Sequence, residues 1–303
     1  MSVSAEIGPN RAIVGIFWMF VTGICFVAVT ALVKHGAQNL PAAEAGFLRY
    51  IIGLIFLAPL ISHVIKAQLT RRQLTLFAWR GLAQALGVIL WFYAMTRITV
   101  AEVTAMNYLS PIYITIGAAL LLGERLATRR ILAVLFAFVG ALIILRPGFR
   151  EISSGHIAML GTAALFAASY LIAKKLTDEV SPRVIIAMLS VTATIGLFPF
   201  AIAVWQTPTW EELGWIALVA LFATAGHYTM TLAFAAAPVT VTQPVTYLQL
   251  VWATLLGLLV FAEPVDGWVV LGGCVILTSV TFITIREAML KRGATPPGTP
   301  FAR

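Results

Sequence analysis

The run AIVGIFWMFVTGICFVAVTALV, Ala12 to Val33, holds twenty-two residues without a single charge. As a helix it is about 33 Å long, enough to cross the roughly 30 Å hydrocarbon core of a bilayer. The remainder of the 303-residue chain is of the same kind: 60% is AVILMFWYC, only 11% is charged, and the mean hydropathy is +0.96. Soluble domains carry about 25% charged residues, so this chain has too little polar surface to clothe a particle in water. Its solvent is lipid, and helices are the way a chain of apolar runs satisfies its backbone there. The first run is too long for the apolar core of a signal peptide, and it leads into Lys34 and His35, with no small-residue cleavage site.

Working outward from that run, the chain divides into ten apolar segments: Ala12–Val33, Ala42–Ile65, Leu74–Thr96, Val100–Leu122, Thr128–Leu145, Gly155–Ala173, Val184–Trp205, Leu213–Ala235, Val239–Phe261 and Trp268–Ile285. Short connections rich in Pro, Gly or charge join them and leave no room for a catalytic domain outside the membrane. The fold class expected is an all-α integral membrane protein with ten transmembrane helices. The net charge of +8 lies at segment ends, which points to headgroups and topology, and no nucleic-acid partner is expected. With ten spans both termini share one side. That side carries Arg11, Lys66, Arg71, Arg72, Arg125, Arg129, Arg130, Lys174, Lys175, Arg183, Arg286, Lys291, Arg292 and Arg303, against Lys34, Arg97, Arg146 and Arg150 opposite. The positive-inside rule places both termini in the cytoplasm.

Sliding the chain by 139 residues brings Gly87 onto Gly226, Ala94 onto Ala233, Val100 onto Val239, Tyr108-Leu109 onto Tyr247-Leu248, Thr115 onto Thr254 and Glu124 onto Glu263; a slide of 141 pairs Pro41 with Pro182. Two five-helix halves follow, and because five is odd the second enters the membrane from the opposite face. Inverted repeats of this kind build transporters with a substrate site near the midplane.

The half-repeat Tyr108-Leu-Ser-Pro111, Leu122-Gly-Glu124-Arg125 and Gly140-Ala-Leu-Ile-Ile-Leu-Arg-Pro147, echoed by Tyr247-Leu-Gln-Leu and Phe261-Ala-Glu263-Pro264, resembles the EamA repeat of the drug/metabolite transporter superfamily. The resemblance covers residues 12–288 and implies two repeats, 12–147 and 155–288, joined by a linker at 148–154. A cytoplasmic N-terminus at 1–11 and a disordered cytoplasmic tail at 289–303 complete the chain. Within that superfamily the chain resembles bacterial inner-membrane exporters of aromatic and other neutral amino acids, of the YddG type. The resemblance implies such an amino acid as substrate; the alternative is another small metabolite or a drug, such as a nucleoside-like molecule.

Polar and aromatic side chains inside spans should face a cavity or another helix, since lipid offers them no partner. Trp18, Thr22 and Phe26 recur at four-residue spacing in span one, and Gln84 and Trp91 lie seven apart in span three. Asn107, Ser110, Pro111 and Thr115 form a stripe in span four beside Tyr108. Gln243, Thr246, Tyr247, Leu250 and Thr254 form the corresponding stripe in span nine. Span eight carries Thr224, His227, Tyr228 and Thr231. The candidate substrate-binding residues are therefore Trp18, Thr22, Gln84, Trp91, Asn107, Tyr108, His227, Tyr228, Gln243, Thr246 and Tyr247, although ordinary helix–helix hydrogen bonding explains a single Thr or Ser as well.

Two bases lie within spans. Arg80 is expected to reach back to the nearby interface. Arg49, five residues from Glu44, lacks a helical partner and needs one elsewhere or a substrate carboxylate. Tyr50 and Trp268 are expected as interfacial anchors, Glu124 and Glu263 as helix-end caps or loop partners, and the two cysteines, Cys25 and Cys274, as small packing residues. Ala133, Ala137 and Ala141 against Gly272 and Gly273 predict close packing of spans five and ten. With no nucleophile–base pair, metal cluster or phosphate loop, no catalytic residue, metal ligand or cofactor is expected, and the chain does not read as an enzyme. Mid-span carboxylates are missing too. Facilitative export by alternating access is the expectation, with proton coupling through His227 as the alternative. The expected partners are the bilayer and a small-molecule substrate, and a monomer fits.

Overall fold

The computed structural model describes residues 9–58, 64, 66–122, 128–149, 151–176, 179–237, 242, 245, 246 and 248–293, which form α-helices and no strand. Eleven helices are defined among them: α1 (Pro9–Gly36), α2 (Ala42–Phe56), α3 (Arg71–Met95), α4 (Val100–Asn107), α5 (Ser110–Leu122), α6 (Thr128–Leu145), α7 (Ser154–Leu176), α8 (Pro182–Ala203), α9 (Trp210–Ala236), α10 (Leu248–Phe261) and α11 (Gly267–Gly293). Helices α4 and α5 are two pieces of span four, so the ten expected spans are all present. Five of the helices are long and apolar enough to cross a bilayer by themselves, led by Ala12–Gly36 with a mean hydropathy of 2.5. Helix α11 continues to Gly293, past the point where the tail was expected to begin.

Helix starts are written into the chain by threonines. Thr70, Thr99 and Thr209 each accept a hydrogen bond from the backbone three residues on, and Gln73, Glu102 and Glu212 return one to the cap's own N–H. These capping boxes satisfy donors that would otherwise be orphaned at a helix end. Thr70 and Thr209 are 139 residues apart and open α3 and α9, the third helices of the two halves.

Packing between the halves obeys the same exchange. Helix α1 packs along α9 and α7 along α3; α3 meets α8 as α9 meets α2; α5 meets α7 as α10 meets α1. Three further pairs across the halves, α2 with α8, α6 with α11 and α4 with α10, join equivalent spans. Contacts that exchange in this way are what a two-fold axis between the halves produces, and the odd number of spans makes the repeat inverted. Two atomic details repeat as well. A Cβ on Gly226 would come within 3.2 Å of the Phe26 ring, and one on Gly87 within 2.8 Å of the Phe166 ring. Thr115 and Thr254 both donate to the carbonyl four residues back, at 3.0 and 2.8 Å.

Span four is broken, and Pro111 supplies the reason. Its ring removes the N–H that would bond to Asn107 and crowds that carbonyl, at a cost of about 3 kcal/mol in a continuous helix. The chain turns instead: Tyr108 N–H and Leu109 N–H donate to the carbonyls of Ala105 and Met106, only three residues back, before α5 resumes. The stripe expected from unbroken geometry is therefore split, with Asn107 exposed while Ser110 and Thr115 are buried. Close packing of α6 on α11 holds as expected: a Cβ on Gly140 would sit 2.7 Å from the Gly272 carbonyl, and one on Gly272 2.5 Å from that of Gly140. Cys25 is buried as expected, but Cys274 is exposed on α11, beside a largely apolar groove with Leu132 and Phe136 of α6.

Candidate functional site

Two seams, related by the repeat, bring the predicted side chains inside the bundle. Along α1 and α9, Thr22 Oγ1 lies 2.8 Å from Thr229 Oγ1, and Thr22 also donates to the Trp18 carbonyl at 2.9 Å. The Phe26 ring meets His227 edge-on with centroids 5.2 Å apart, and His227 Nδ1–H donates to the Ala223 carbonyl at 2.7 Å. Trp18, Thr22 and His227 thus share one seam. Along α3 and α7, Trp91 packs on Phe92 and Phe166 at 5.9 and 6.4 Å, its indole N–H buried without a partner. One helical turn further from the α3 C-terminus than Gly87, Gln84 joins three helices: its Nε2 donates to Tyr50 Oη at 3.1 Å, and its Oε1 accepts from Ser169 Oγ at 3.0 Å.

The break in span four also earns a contact across the halves, because Tyr108 Oη donates to the Thr246 carbonyl at 2.8 Å. Spans four and nine therefore touch at this point. Gln243 and Tyr247, the centre of the span-nine stripe, lie outside the described residues. Asn107 is exposed, and Tyr228 stands apart from the seam with 65% of its surface exposed.

Two expectations about residues flanking the site are corrected. Tyr50 is no interfacial anchor: it is buried, and its hydroxyl is held by Gln84. Trp268, by contrast, is exposed near the start of α11. Arg80 does not reach back to the interface. It is 5% exposed, one guanidinium nitrogen donates to the Ile185 carbonyl at 2.9 Å, and its Nε is sealed without a partner. Helix α8 packs against α3 and offers the long side chain a backbone acceptor inside the bundle.

Polar ties cross between the halves at both ends of the bundle. At the end bearing the 36–42 and 262–267 connections, Lys34 pairs with Glu263 and also donates to the Ile98 carbonyl at 2.8 Å, while the Val100 N–H donates to Glu263 Oε2 at 3.1 Å. Arg146 pairs with Asp266, His156 lies 3.2 Å from Glu102, and the Gln206 N–H donates to Glu44 at 2.9 Å. All four ties join the first half to the second. Beside them lies a cavity of about 360 Å³ lined by Gln38, Asn39, Tyr93, Thr96 and Arg97 among others. At the opposite end Arg72 pairs with Glu179 at 2.8 Å, on the exposed surface. The guanidinium and the Gln73 amide hold the Glu179 carboxyl below its ordinary range.

Ser169, Phe166, Thr229 and Tyr50 were missed by the sequence reading. One of them had a signal: a slide of 140 residues sets Met19, Thr22, Phe26 and Lys34 of span one on Met159, Thr162, Phe166 and Lys174 of span six, which marks Phe166 as the counterpart of Phe26.

The fold and this inverted pair of seams define a membrane carrier, and the comparisons agree. The EamA-like transporter family matches residues 13–146 and again 153–285; the chain belongs to that family. A riboflavin transporter of Rhizobium johnstonii is 32% identical over 95% of this chain and 97% of its own. One from Vibrio cholerae is 27% identical over 92% and 95%. The pseudopaline exporter CntI of Pseudomonas aeruginosa is 28% identical over 88% and 94%. These relatives are named for other solutes, so the amino-acid cargo expected from the sequence finds no support among them.

Proposed function

We propose that this protein carries a small aromatic organic solute across the bacterial cytoplasmic membrane, with riboflavin the first cargo to test. The observation that carries the reading is the pair of riboflavin-named relatives, each matched over more than nine-tenths of both chains. The seams support it: Trp18, Phe26, Trp91 and Phe166 offer aromatic faces, and Thr22, Gln84 and Ser169 offer a few polar points, which suits a flat heteroaromatic ring with hydroxyls.

Alternating access is the mechanism that an inverted repeat supports, because exchanging the conformations of the halves turns one end's closure into the other's. The positive-inside rule puts the termini in the cytoplasm and the Lys34–Glu263 end outside. The arrangement described is then closed outward by its polar ties. Mid-span carboxylates are lacking in the sequence, and His227 is bonded to its own helix, which supports a facilitative carrier over proton coupling through that residue.

Counterflow in proteoliposomes tests the cargo. Vesicles loaded with unlabelled riboflavin, phenylalanine or a nucleoside are followed for uptake of the matching label with no ion gradient. Riboflavin uptake alone is the expected result. Uptake of phenylalanine alone would replace the flavin reading with amino-acid transport.

A further inference from the structure

We propose that Arg49 is a cargo-recognition residue whose guanidinium receives an anionic group of the solute, a carboxylate or a phosphate. The proposal rests on the carrier reading above and adds an anionic group to its aromatic cargo, one that riboflavin lacks and its phosphate ester carries.

Arg49 sits seven residues into α2 and is 9% exposed. The face of the Tyr50 ring lies 4.3 Å from the guanidinium carbon. It makes no ion pair or hydrogen bond among the described residues. The carboxylates that are buried or half-buried there are all engaged at helix ends: Glu44, Glu102, Glu263 and Asp266 in the ties between the halves, and Glu212 in its capping box. None of them comes to Arg49.

The guanidinium is not sealed. The buried polar atoms that lack a partner include Arg80 Nε and none from Arg49, so the little surface that Arg49 keeps is at its charged end. Arg80, also without a carboxylate, supplies a second positive charge from α3. Tyr170 of α7 and His227 of α9, side chains of the other half, lie within electrostatic range of both. The two cations thus stand where the halves meet, beside the Tyr50–Gln84–Ser169 chain of hydrogen bonds.

Lipid disfavours a guanidinium without a counter-ion, and such groups in spans mark substrate paths when no protein acid pairs with them. Here the fold leaves the partner to a group that arrives and departs. Arginine suits that task, since its planar fork matches a carboxylate or a phosphate with two parallel hydrogen bonds.

The test uses ligand pairs that differ only in the anion: flavin mononucleotide against riboflavin for phosphate, and phenylalanine against phenylalaninamide for carboxylate. Binding to the purified full chain is read by tryptophan quenching for wild type, Arg49→Gln and Arg49→Lys, each checked for a monodisperse fold and for Tm. In wild type the anionic member of one pair should bind roughly tenfold tighter or better, the preference a bidentate contact gives. Arg49→Gln should lose the preference without losing Tm, and Arg49→Lys should keep part of it, because the charge remains while the fork is gone. The responding pair identifies the anion. Equal binding of both members to wild type overturns the proposal, as does a preference that survives in Arg49→Gln, or a fall in Tm with the ligand ratio unchanged. Riboflavin, which carries neither anion, should bind wild type and Arg49→Gln alike; a loss of riboflavin binding in Arg49→Gln as large as that of the anionic member would overturn this role of Arg49. An Arg49-dependent preference confined to the phenylalanine pair keeps the role and removes the flavin.

Discussion

Gly257 has room for hydrogen and nothing larger: a Cβ there would lie 2.5 Å from Glu263 Oε2. The Glu263 N–H folds back onto the Gly257 carbonyl at 3.0 Å, after Ala262 has taken a positive φ of 52°. That turn aims the carboxylate at Lys34 and at the Val100 N–H. Gly257→Ala should displace the carboxylate and lower stability by about 1–3 kcal/mol, the usual result of crowding a filled site, seen as a lower Tm in detergent. Lys34→Met leaves Glu263 half-buried and unpaired, and should cost about 3 kcal/mol. The double variant Lys34→Met/Glu263→Met should cost less than the two singles together; strict additivity would show that the pair contributes nothing. The Arg72–Glu179 pair gives a pH signature of its own. Its carboxyl is held below the ordinary range, so its contribution is complete above that range and is lost as pH falls through the lowered value. Tm values of wild type and Glu179→Gln, distinct at neutral pH, should converge on acidification, and a constant difference would exclude the pair as the cause.

At the scale of helices, small residues decide how near two axes come. Gly87 against Phe166 and Gly226 against Phe26 are the same contact made twice, so Gly87→Leu and Gly226→Leu should impair folding to a similar degree. The check is the yield of monodisperse protein for each. Gly140 and Gly272 bring two backbones together where the α6–α11 pair crosses, and Gly140→Val should separate them, costing roughly 1–3 kcal/mol. Much of this level was legible in the sequence: the limits of α6, Thr128–Leu145, agree to the residue, and the small-residue pattern marked its partner. What failed was the continuity of span four. Periodicity counts Asn107, Ser110 and Thr115 on one face only if the helix runs through Pro111, and the missing N–H breaks it there. Arg80 and Tyr50 failed for a different reason. Depth from the span end predicts whether a side chain can reach the interface, but α8 and α3 supplied nearer partners in the Ile185 carbonyl and the Gln84 amide.

For the molecule as a whole, the ties at the Lys34–Glu263 end have a functional consequence. If the Lys34–Glu263 end must open during transport, then linking it should stop the cycle. Cysteines at positions 34 and 263, introduced after Cys25→Ala and Cys274→Ala, should allow a short thiol cross-linker to arrest counterflow, with activity returning on cleavage of the linker. Undiminished counterflow in fully cross-linked protein would mean that this end does not open. The halves do not stand side by side; their strongest contacts run from one to the other, α1 to α9, α3 to α7 and α6 to α11, so neither half has a core without its mate. The sequence by itself determined that the chain lies in lipid, how many times it crosses, and that its halves repeat with opposite sense, because those follow from apolar run length, the parity of five and matched residues at a fixed spacing. Only the tertiary structure decided which polar groups meet. Gln84 finding Ser169 across 85 residues, Lys34 finding Glu263 across 229, and Arg49 finding no acid among the described residues depend on how helices from opposite halves rotate against each other, and neither composition nor period encodes that rotation.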